Sequence, residues 1–223
     1  MTRVVFDIET LGFQLETFDE VQQEYLLKFA DTEEKREAEI QKLSLHALTA
    51  QIIVIGMLNP DTKAGKVFYQ SDKKEQFTSE DGKVEFVSGD EKSILRHFWE
   101  MVERYDQIIT FNGRAFDCPF IMIRSGILGV KATRNLIPYR YDSVKHCDLL
   151  EQLTYYGATR KFNLDFYCKA FGIKSPKSEG ITGLDLGPLF ADGKFKEIAK
   201  YCLGDIQATG DLFKRWDEFM NVQ

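Results

Sequence analysis

The spacing of apolar residues changes from period two to period 3.6 near position 88, and this change most constrains the fold. Short β-rich runs bounded by turn residues come before it and predict three strands: residues 3–9, 51–58 and 66–70. Beyond it, Ser88 and Glu91 match a capping box, and apolar residues mark one helical face up to Tyr105. A strand over 107–112 and a helix over 116–128 follow. Repeated strand–helix pairs predict an α/β fold.

A helical, acidic segment separates the first two predicted strands. Asp31 and Glu34 match a capping box inside residues 17–46, which we interpret as a helical insertion. Residues 16–40 hold nine acids against three bases, whereas residues 124–177 hold ten bases against four acids. A charge run is usually a solvated face. The net charge of −6 argues against a protein whose main role is to hold nucleic acid.

Length and composition indicate one globular domain. A chain of 223 residues with 43% hydrophobic content can fill one large core, so we expect a single domain over residues 1–223. The four cysteines stand far apart without a C-x-x-C pair, which favours reduced thiols over a zinc site or disulfides. Without a leader or an apolar run of about 20 residues, we expect a cytoplasmic protein with no membrane contact.

Two acids, Asp7 and Glu9, interrupt the apolar run of the first strand. Residues two apart on a strand point to the same side, which places these carboxylates on one face about 7 Å apart. Oxygen ligands on a rigid strand suit Mg²⁺ or Mn²⁺. The alternative is an edge strand with a solvated face, and this segment by itself leaves both interpretations open.

Two further acidic positions stand out later in the chain. Asp117 lies at the start of a predicted helix just beyond a strand, where ligands of α/β sheets gather, although Asp is also a common N-cap. The closing helix, predicted over residues 194–219, carries Tyr201 and Asp205 four apart on one apolar-flanked face. Such a pair is common by chance, so its meaning depends on the other two segments.

In this order, the three segments resemble the exonuclease motifs of the DEDD superfamily, the ribonuclease H-like 3′-to-5′ exonucleases. Tyr201, four residues before Asp205, matches the Tyr subtype, since the His subtype requires a histidine at position 200, which is Lys. "Phe-Asp-Ile-Glu-Thr" and "Phe-Asn-Gly-Arg-Ala-Phe-Asp-Cys-Pro-Phe-Ile" are most similar to the proofreading domain of family B DNA polymerases and its stand-alone bacterial relatives. The resemblance spans residues 4–216 except the insertion. No polymerase domain follows, so we do not interpret the chain as a replicative polymerase.

The resemblance implies a ribonuclease H-like mixed central sheet flanked by helices, with a helical insertion after the first strand. It also implies hydrolysis of single-stranded nucleic acid from the 3′ end to nucleoside monophosphates by a two-metal mechanism. Two divalent ions, Mg²⁺ or Mn²⁺, would be held by Asp7, Glu9, Asp117 and Asp205. Tyr201 would orient the attacking water, because a phenol with a pKa near 10 is a poor base at neutral pH.

Substrate contacts are expected at six further positions: Thr10, Leu11, Phe13, Asn112, Arg160 and Lys161. The first three lie just beyond the first motif, near the terminal nucleotide. The last two belong to a basic and aromatic stretch, residues 139–177, that could track a single strand by stacking and phosphate contact. The alternative is that many of its aromatic residues lie in the core. Asp148 is expected only to cap a helix.

Two other functions remain open from the sequence. A non-catalytic docking module of replication or repair would use the same fold, with the acidic insertion as its protein-binding surface. An RNA 3′-to-5′ exonuclease would share every motif, because recognition of the 2′-hydroxyl depends on details of the binding site. DNA is the favoured substrate.

Overall fold

A computed structural model describes residues 1–175 and 180–222, so the last two positions of the basic and aromatic stretch lie outside the described residues. Within these ranges there are seven strands: β1 (Arg3–Gly12), β2 (Ala50–Leu58), β3 (Gly65–Gln70), β4 (Gln76–Thr78), β5 (Val84–Gly89), β6 (Gln107–Thr110) and β7 (His146–Asp148). The helices of the same ranges are α1 (Glu20–Leu26), α2 (Glu33–Lys42), α3 (Glu91–Val102), α4 (Asp117–Leu128), α5 (Leu149–Leu153), α6 (Leu164–Ala170), α7 (Leu186–Ala191) and α8 (Phe195–Phe219). The predicted α/β class is confirmed.

The strands form one mixed sheet in the order β4-β5-β3-β2-β1-β6-β7. β1 is antiparallel to β2 and parallel to β6, which is in turn parallel to β7. Because β1 has a neighbour on each side, the interpretation of the first strand as a solvated edge strand is wrong. Within β1, only Arg3–Val5 pair with β6, so the chain that follows β6 leaves the sheet close to Asp7.

Helices cover both faces of the sheet, and β1 alternates between the two layers. Val5 belongs to the core under α8, together with Cys202 and Ile206. Phe6 belongs to the opposite core, where its ring meets Phe98 of α3 at a centroid distance of 5.3 Å. Asp7 and Glu9 follow Val5 at two-residue steps and therefore face the α8 layer.

The start of α3 differs from the predicted capping box. Asp90 is the N-cap, and its side chain accepts a hydrogen bond from the Ser93 N–H at 2.7 Å. Ser88 instead belongs to β5, where its N–H donates to the Glu75 carbonyl oxygen. Ser88 lies in the sheet and cannot cap α3, because β5 extends to residue 89, one residue before the N-cap.

The segment between β1 and β2 contains α1 and α2, as predicted for residues 17–46. Thr32, and not Asp31, caps α2, since the Thr32 side chain accepts a hydrogen bond from the Lys35 N–H. The Asp31 carboxylate instead forms an ion pair with the Lys35 Nζ atom at 2.5 Å. Across the described parts of the chain, no helix has both the length and the apolar character needed to cross a membrane.

Candidate active site

β1 supplies two acids to the face that α8 covers. Asp7 pairs with Gly56 and Glu9 with Val54, and the register then shifts between Glu9 and Thr10 as a β-bulge. Such bulges redirect side chains and are frequent beside active sites. Ligand atoms of Asp7, Glu9 and the Cys202 thiol all lie within 4.8 Å of one another.

Asp117 joins these acids from the turn after β6. It is the first residue of α4 and is 3% exposed, and Phe116 holds the N-cap position, so the N-cap interpretation of Asp117 is wrong. Its Oδ1 atom accepts a hydrogen bond from the Ile8 N–H at 3.0 Å. Asp117 also shares a hydrogen bond with the Asp7 carboxyl group. The donor Ile8 lies between the two acids of β1, so this bond fixes Asp117 beside both.

Asp148 stabilises the turn before α4, which positions Asp117. Its two oxygens accept hydrogen bonds from the N–H groups of Asn112 at 3.0 Å and Arg114 at 2.8 Å. The same side chain caps α5 through the Leu150 N–H, as the sequence predicted. Sequence analysis missed its additional contact with the turn. No sequence signal indicated this contact, because β7, the strand that Asp148 ends, has only three residues.

α8 places Tyr201 and Asp205 over the acids of β1. The Tyr201 hydroxyl donates a hydrogen bond to the Asp205 carboxylate. This close approach depends on Gly56, opposite the first acid, because an added Cβ would lie 2.9 Å from the Cys202 Sγ and 3.1 Å from the Ile206 Cδ1. No pattern in the sequence distinguished this glycine from others.

The electrostatics of the site favour a cation. Burial, followed by the charges of Asp117, Asp205 and Glu9, raises the pKa of Asp7 well above its ordinary range. Burial and two of the same neighbours raise the pKa of Glu9, and burial raises that of Asp117 to about 7. Every cause acting on Asp7 and Glu9 raises the pKa, so the site holds negative charge that these groups do not balance. A hard divalent cation fits these oxygen donors.

Two neutral groups border the acids. Burial and the nearby carboxylates of Asp205, Glu9 and Asp7 raise the pKa of Tyr201, so its hydroxyl remains a hydrogen-bond donor. Burial and the same acids raise the pKa of Cys202 well above its ordinary range. The Cys202 thiol donates to the Asp7 carbonyl oxygen at 3.8 Å. In the metal-free site Cys202 is therefore a neutral packing group.

Three of the expected substrate contacts line one recess of about 380 Å³ at the end of β1. Thr10 donates its hydroxyl hydrogen to the Ser44 carbonyl oxygen at 2.7 Å, and Leu11 lines the recess beside it. The Phe13 ring, at the same recess, has its centroid 5.5 Å from the guanidinium carbon of Arg124. The structure therefore brings these three positions together.

The other expected contacts lie elsewhere. Asn112, with a left-handed φ of 64°, and Lys161 line a second recess beside the turn before α4. Arg160 is exposed, and its guanidinium carbon lies 4.9 Å from the centroid of the Phe162 ring. The six positions therefore divide between two recesses and one exposed surface.

A buried ion pair supports the recess at β1, and the sequence did not indicate it. Arg124 binds both oxygens of Glu91, at 2.8 and 2.6 Å. The Glu91 carboxylate also accepts a hydrogen bond from the Ile52 N–H, opposite the bulge at Thr10. Glu91 thus joins α4 to β2 and does not act as the predicted capping-box partner.

Comparison with known proteins identifies the family of this chain. A family model described as a predicted 3′-5′ exonuclease related to the exonuclease domain of PolB matches residues 64–221, which include Asp117, Tyr201 and Asp205. A DNA polymerase 1 of Sulfurisphaera ohwakuensis is 30% identical over 148 residues, covering 59% of this chain and 17% of that polymerase. The chain thus spans only a small part of this relative. Since the family model matches more than half of the chain, the protein belongs to the family of predicted 3′-5′ exonucleases related to the exonuclease domain of PolB.

Proposed function

We propose that this protein is a 3′-to-5′ exonuclease of the Tyr subtype, which removes nucleoside monophosphates from single-stranded nucleic acid with the help of two divalent metal ions. The observation that carries the proposal is the meeting of four carboxylates and one tyrosine at the point where β1, α4 and α8 converge. Family membership supports the exonuclease activity.

The acids of the site would hold the metals. Asp7, which has the other three carboxylates around it, would hold the ions together with Glu9, Asp117 and Asp205. When bound, Mg²⁺ or Mn²⁺ supplies a water of lowered pKa and neutralises charge on the leaving 3′ oxygen. The carboxylates must be ionised for this, so protonated acids compete with metal binding.

Tyr201 orients the attacking water in this proposal. Its raised pKa keeps the phenol protonated, which suits a hydrogen-bond donor and not a general base. The Asp205 carboxylate accepts a hydrogen bond from the Tyr201 hydroxyl and so positions the tyrosine ring. We expect Tyr201→Phe to lose less activity than Asp205→Ala. Equal abolition by both substitutions would contradict the orienting role.

DNA is the favoured substrate because the similarity to a DNA polymerase extends over 148 residues. The 3′-terminal nucleotide would enter the recess lined by Thr10, Leu11 and Phe13, which lies at the Glu9–Thr10 bulge and the end of β1. Asn112 would contact the substrate or brace the second motif, whereas Lys161 and Arg160 would contact phosphates further along the strand.

The test follows product length over time on 5′-labelled single strands of DNA and RNA, with Mg²⁺, with Mn²⁺ and with a chelator. Wild type is compared with Asp7→Ala and with Glu37→Ala, which removes an exposed acid of α2 as a matched control. We expect a metal-dependent ladder that shortens from the 3′ end, is absent in Asp7→Ala and is unchanged in Glu37→Ala.

The outcomes separate the candidates. A ladder on DNA alone or on RNA alone identifies the preferred sugar. If neither polymer is shortened with either metal, the enzyme proposal fails and the docking module becomes the better account. In that case the acidic insertion around α1 and α2 is the place to look for a protein partner.

A further inference from the structure

Three tyrosines of the basic and aromatic stretch lie on the surface and not in the core. The ring centroids of Tyr139 and Tyr141 are 5.6 Å apart, and those of Tyr141 and Tyr156 are 4.6 Å apart. Tyr139 is 73% exposed and Tyr141 is 56% exposed. The core alternative is therefore wrong for these two residues, and the three rings form a connected aromatic surface.

The chain carries tyrosines where the local backbone favours glycine. α5 ends in a Schellman motif, in which the Tyr155 N–H donates to the Gln152 carbonyl oxygen and the Tyr156 N–H to that of Glu151. Both tyrosines have left-handed φ angles, 49° and 57°. A side chain costs free energy in this conformation, and such outliers cluster at ligand-binding sites. Because the Tyr155 ring is 64% exposed, core packing does not account for it.

A recess of about 300 Å³ lies between the turn before α4 and the start of α5. Asn112 and Arg114 of that turn line one part, and Arg140 and Lys161 line another. The guanidinium carbon of Arg140 also lies 6.0 Å from the centroid of the Tyr156 ring. The recess thus connects the turn that presents the second motif with the tyrosines.

The charges of this recess leave capacity for an anion. Glu151 pairs with Arg140 at 2.8 Å and with the Nε of Arg114 at 3.1 Å, while Asp148 is occupied by backbone N–H groups. Lys161 adds a third cation to the lining. The Nη2 atom of Arg114 is buried without a hydrogen-bond partner among the described residues. A backbone phosphate is an anion that these donors could bind.

We propose that Tyr139, Tyr141, Tyr155 and Tyr156, named here the tyrosine platform, bind the bases of a single nucleic-acid strand upstream of the cleaved end, with the recess taking a backbone phosphate between them. This inference rests on the proposed exonuclease function. Exposed aromatic rings next to cations are the pattern of single-strand binding, since every base can stack on such a ring. A protein partner is the less favoured occupant, because Arg140, beside the Tyr156 ring, lines the same recess as the turn before Asp117.

The test measures equilibrium binding of 5′-fluorescein-labelled oligothymidylate by anisotropy, with Ca²⁺ in place of the catalytic metal. Strands of about 4 and about 12 nucleotides bracket a short and a long occupancy of a single-strand site. Tyr141→Ala and Tyr155→Gly remove rings, and the glycine also matches the left-handed backbone. Tyr141→Phe keeps the ring without its hydroxyl. Tyr25→Ala removes an exposed tyrosine of α1 and serves as the control.

On the long strand we expect each ring deletion to raise Kd by about 5- to 150-fold, the range found for one stacked base. The loss on the short strand should be smaller. Tyr141→Phe and Tyr25→Ala should stay within about twofold of wild type, since stacking needs only the ring. Tyr155→Gly should melt at or above the wild-type temperature, which shows that its binding loss is not unfolding.

Several results would overturn the platform. If the ring-deletion variants bind both strands as tightly as Tyr25→Ala does, the tyrosine platform does not bind nucleic acid. A protein partner then becomes the better occupant of this surface. Base stacking would be excluded if a ring deletion weakened the binding of a fully paired duplex as much as that of a single strand. It would also be excluded if Tyr141→Phe lost as much affinity as Tyr141→Ala. Weak binding of the long strand by the wild-type protein would also exclude base stacking on the tyrosine platform. If wild type shortens DNA while the ring deletions bind normally, the platform alone fails; if the ring deletions weaken binding but no strand is shortened, the exonuclease function alone fails.

Discussion

Gly56→Ala tests whether the close approach of α8 to β1 sets the activity. Gly56 lies opposite Asp7 in the β1–β2 ladder. A Cβ at this position would lie 2.9 Å from the Cys202 Sγ and 3.1 and 3.3 Å from two methyl carbons of Ile206. Cys202 and Ile206 are fully buried in the interior of the 25-residue helix, so the contacts cannot be relieved by rotating an exposed side chain. Relief requires α8 to shift outward.

The size of the effect follows from this shift. An added methyl group in a packed core costs about 1–3 kcal/mol of folding free energy. Moving α8 also moves Asp205 and Tyr201 away from the acids of β1, and a displacement of about 1 Å can cost on the order of 10²-fold in rate. We therefore expect Gly56→Ala to remain folded and to lose about tenfold to 100-fold in kcat, with a smaller change in KM.

The assay combines single-strand cleavage kinetics with urea unfolding. Gly126→Ala is the matched control, because Gly126 lies in α4 and an added Cβ there meets nothing within 4 Å. This control should gain up to about 1 kcal/mol of stability and keep wild-type kcat. Adding Cys202→Ala to Gly56→Ala removes the nearest obstructing atom and should restore part of the activity. Wild-type kcat for Gly56→Ala would refute the reasoning, as would a loss shared by Gly126→Ala.

Three further predictions concern groups around the site. Asp148→Asn leaves one N–H of the turn before α4 without an acceptor, so kcat should fall by about tenfold or more and stability by about 1–3 kcal/mol, measured by cleavage kinetics and urea unfolding. Arg124→Met leaves the Glu91 charge buried and should cost about 3–5 kcal/mol in urea unfolding, whereas adding Glu91→Leu should recover most of it; equal losses would contradict the ion-pair account. Without metal, the raised pKa of Asp117 means that the folded state binds more protons than the unfolded state between its ordinary value of 3.8 and about 7. The free energy of unfolding should therefore fall as pH rises through this window in a chelator, and a divalent metal should oppose the fall near pH 7.

The parts of the fold that follow a long periodic pattern could be predicted from the sequence. The expected strands over 3–9, 51–58 and 66–70 and the closing helix all correspond to elements of the structure, with ends that differ by at most three residues. β4 and β7 have three residues each, too few for a period to be recognised. They form because neighbouring strands offer unpaired edges, which is a property of the assembled sheet and not of the segment.

In the candidate site, too, some residues could be predicted from the sequence and others could not. The resemblance to the exonuclease motifs groups Asp7, Glu9, Asp117 and Asp205, and the structure brings their carboxyl groups close enough to raise the pKa of Asp7. Gly56 and Asp148 could not be found, because their importance comes from what lies across a strand pair or beyond a turn. A glycine in a strand and an acid before a helix have common structural explanations when only the sequence is considered.

These two residues also bear on the choice between an enzyme and a docking module. Gly56 lets α8 press Asp205 towards Asp7, and Asp148 holds the turn that presents Asp117. Both keep buried carboxylates close together, and burial, followed by the charges of the neighbouring acids, raises the pKa values of Asp7 and Asp117. A binding module gains nothing from this unfavourable arrangement, since its partner would contact the exposed insertion. A metal-dependent nuclease requires it, because the same proximity that destabilises the metal-free acids creates the affinity for divalent cations. The packing around the motif therefore favours the enzyme more strongly than the motif residues themselves.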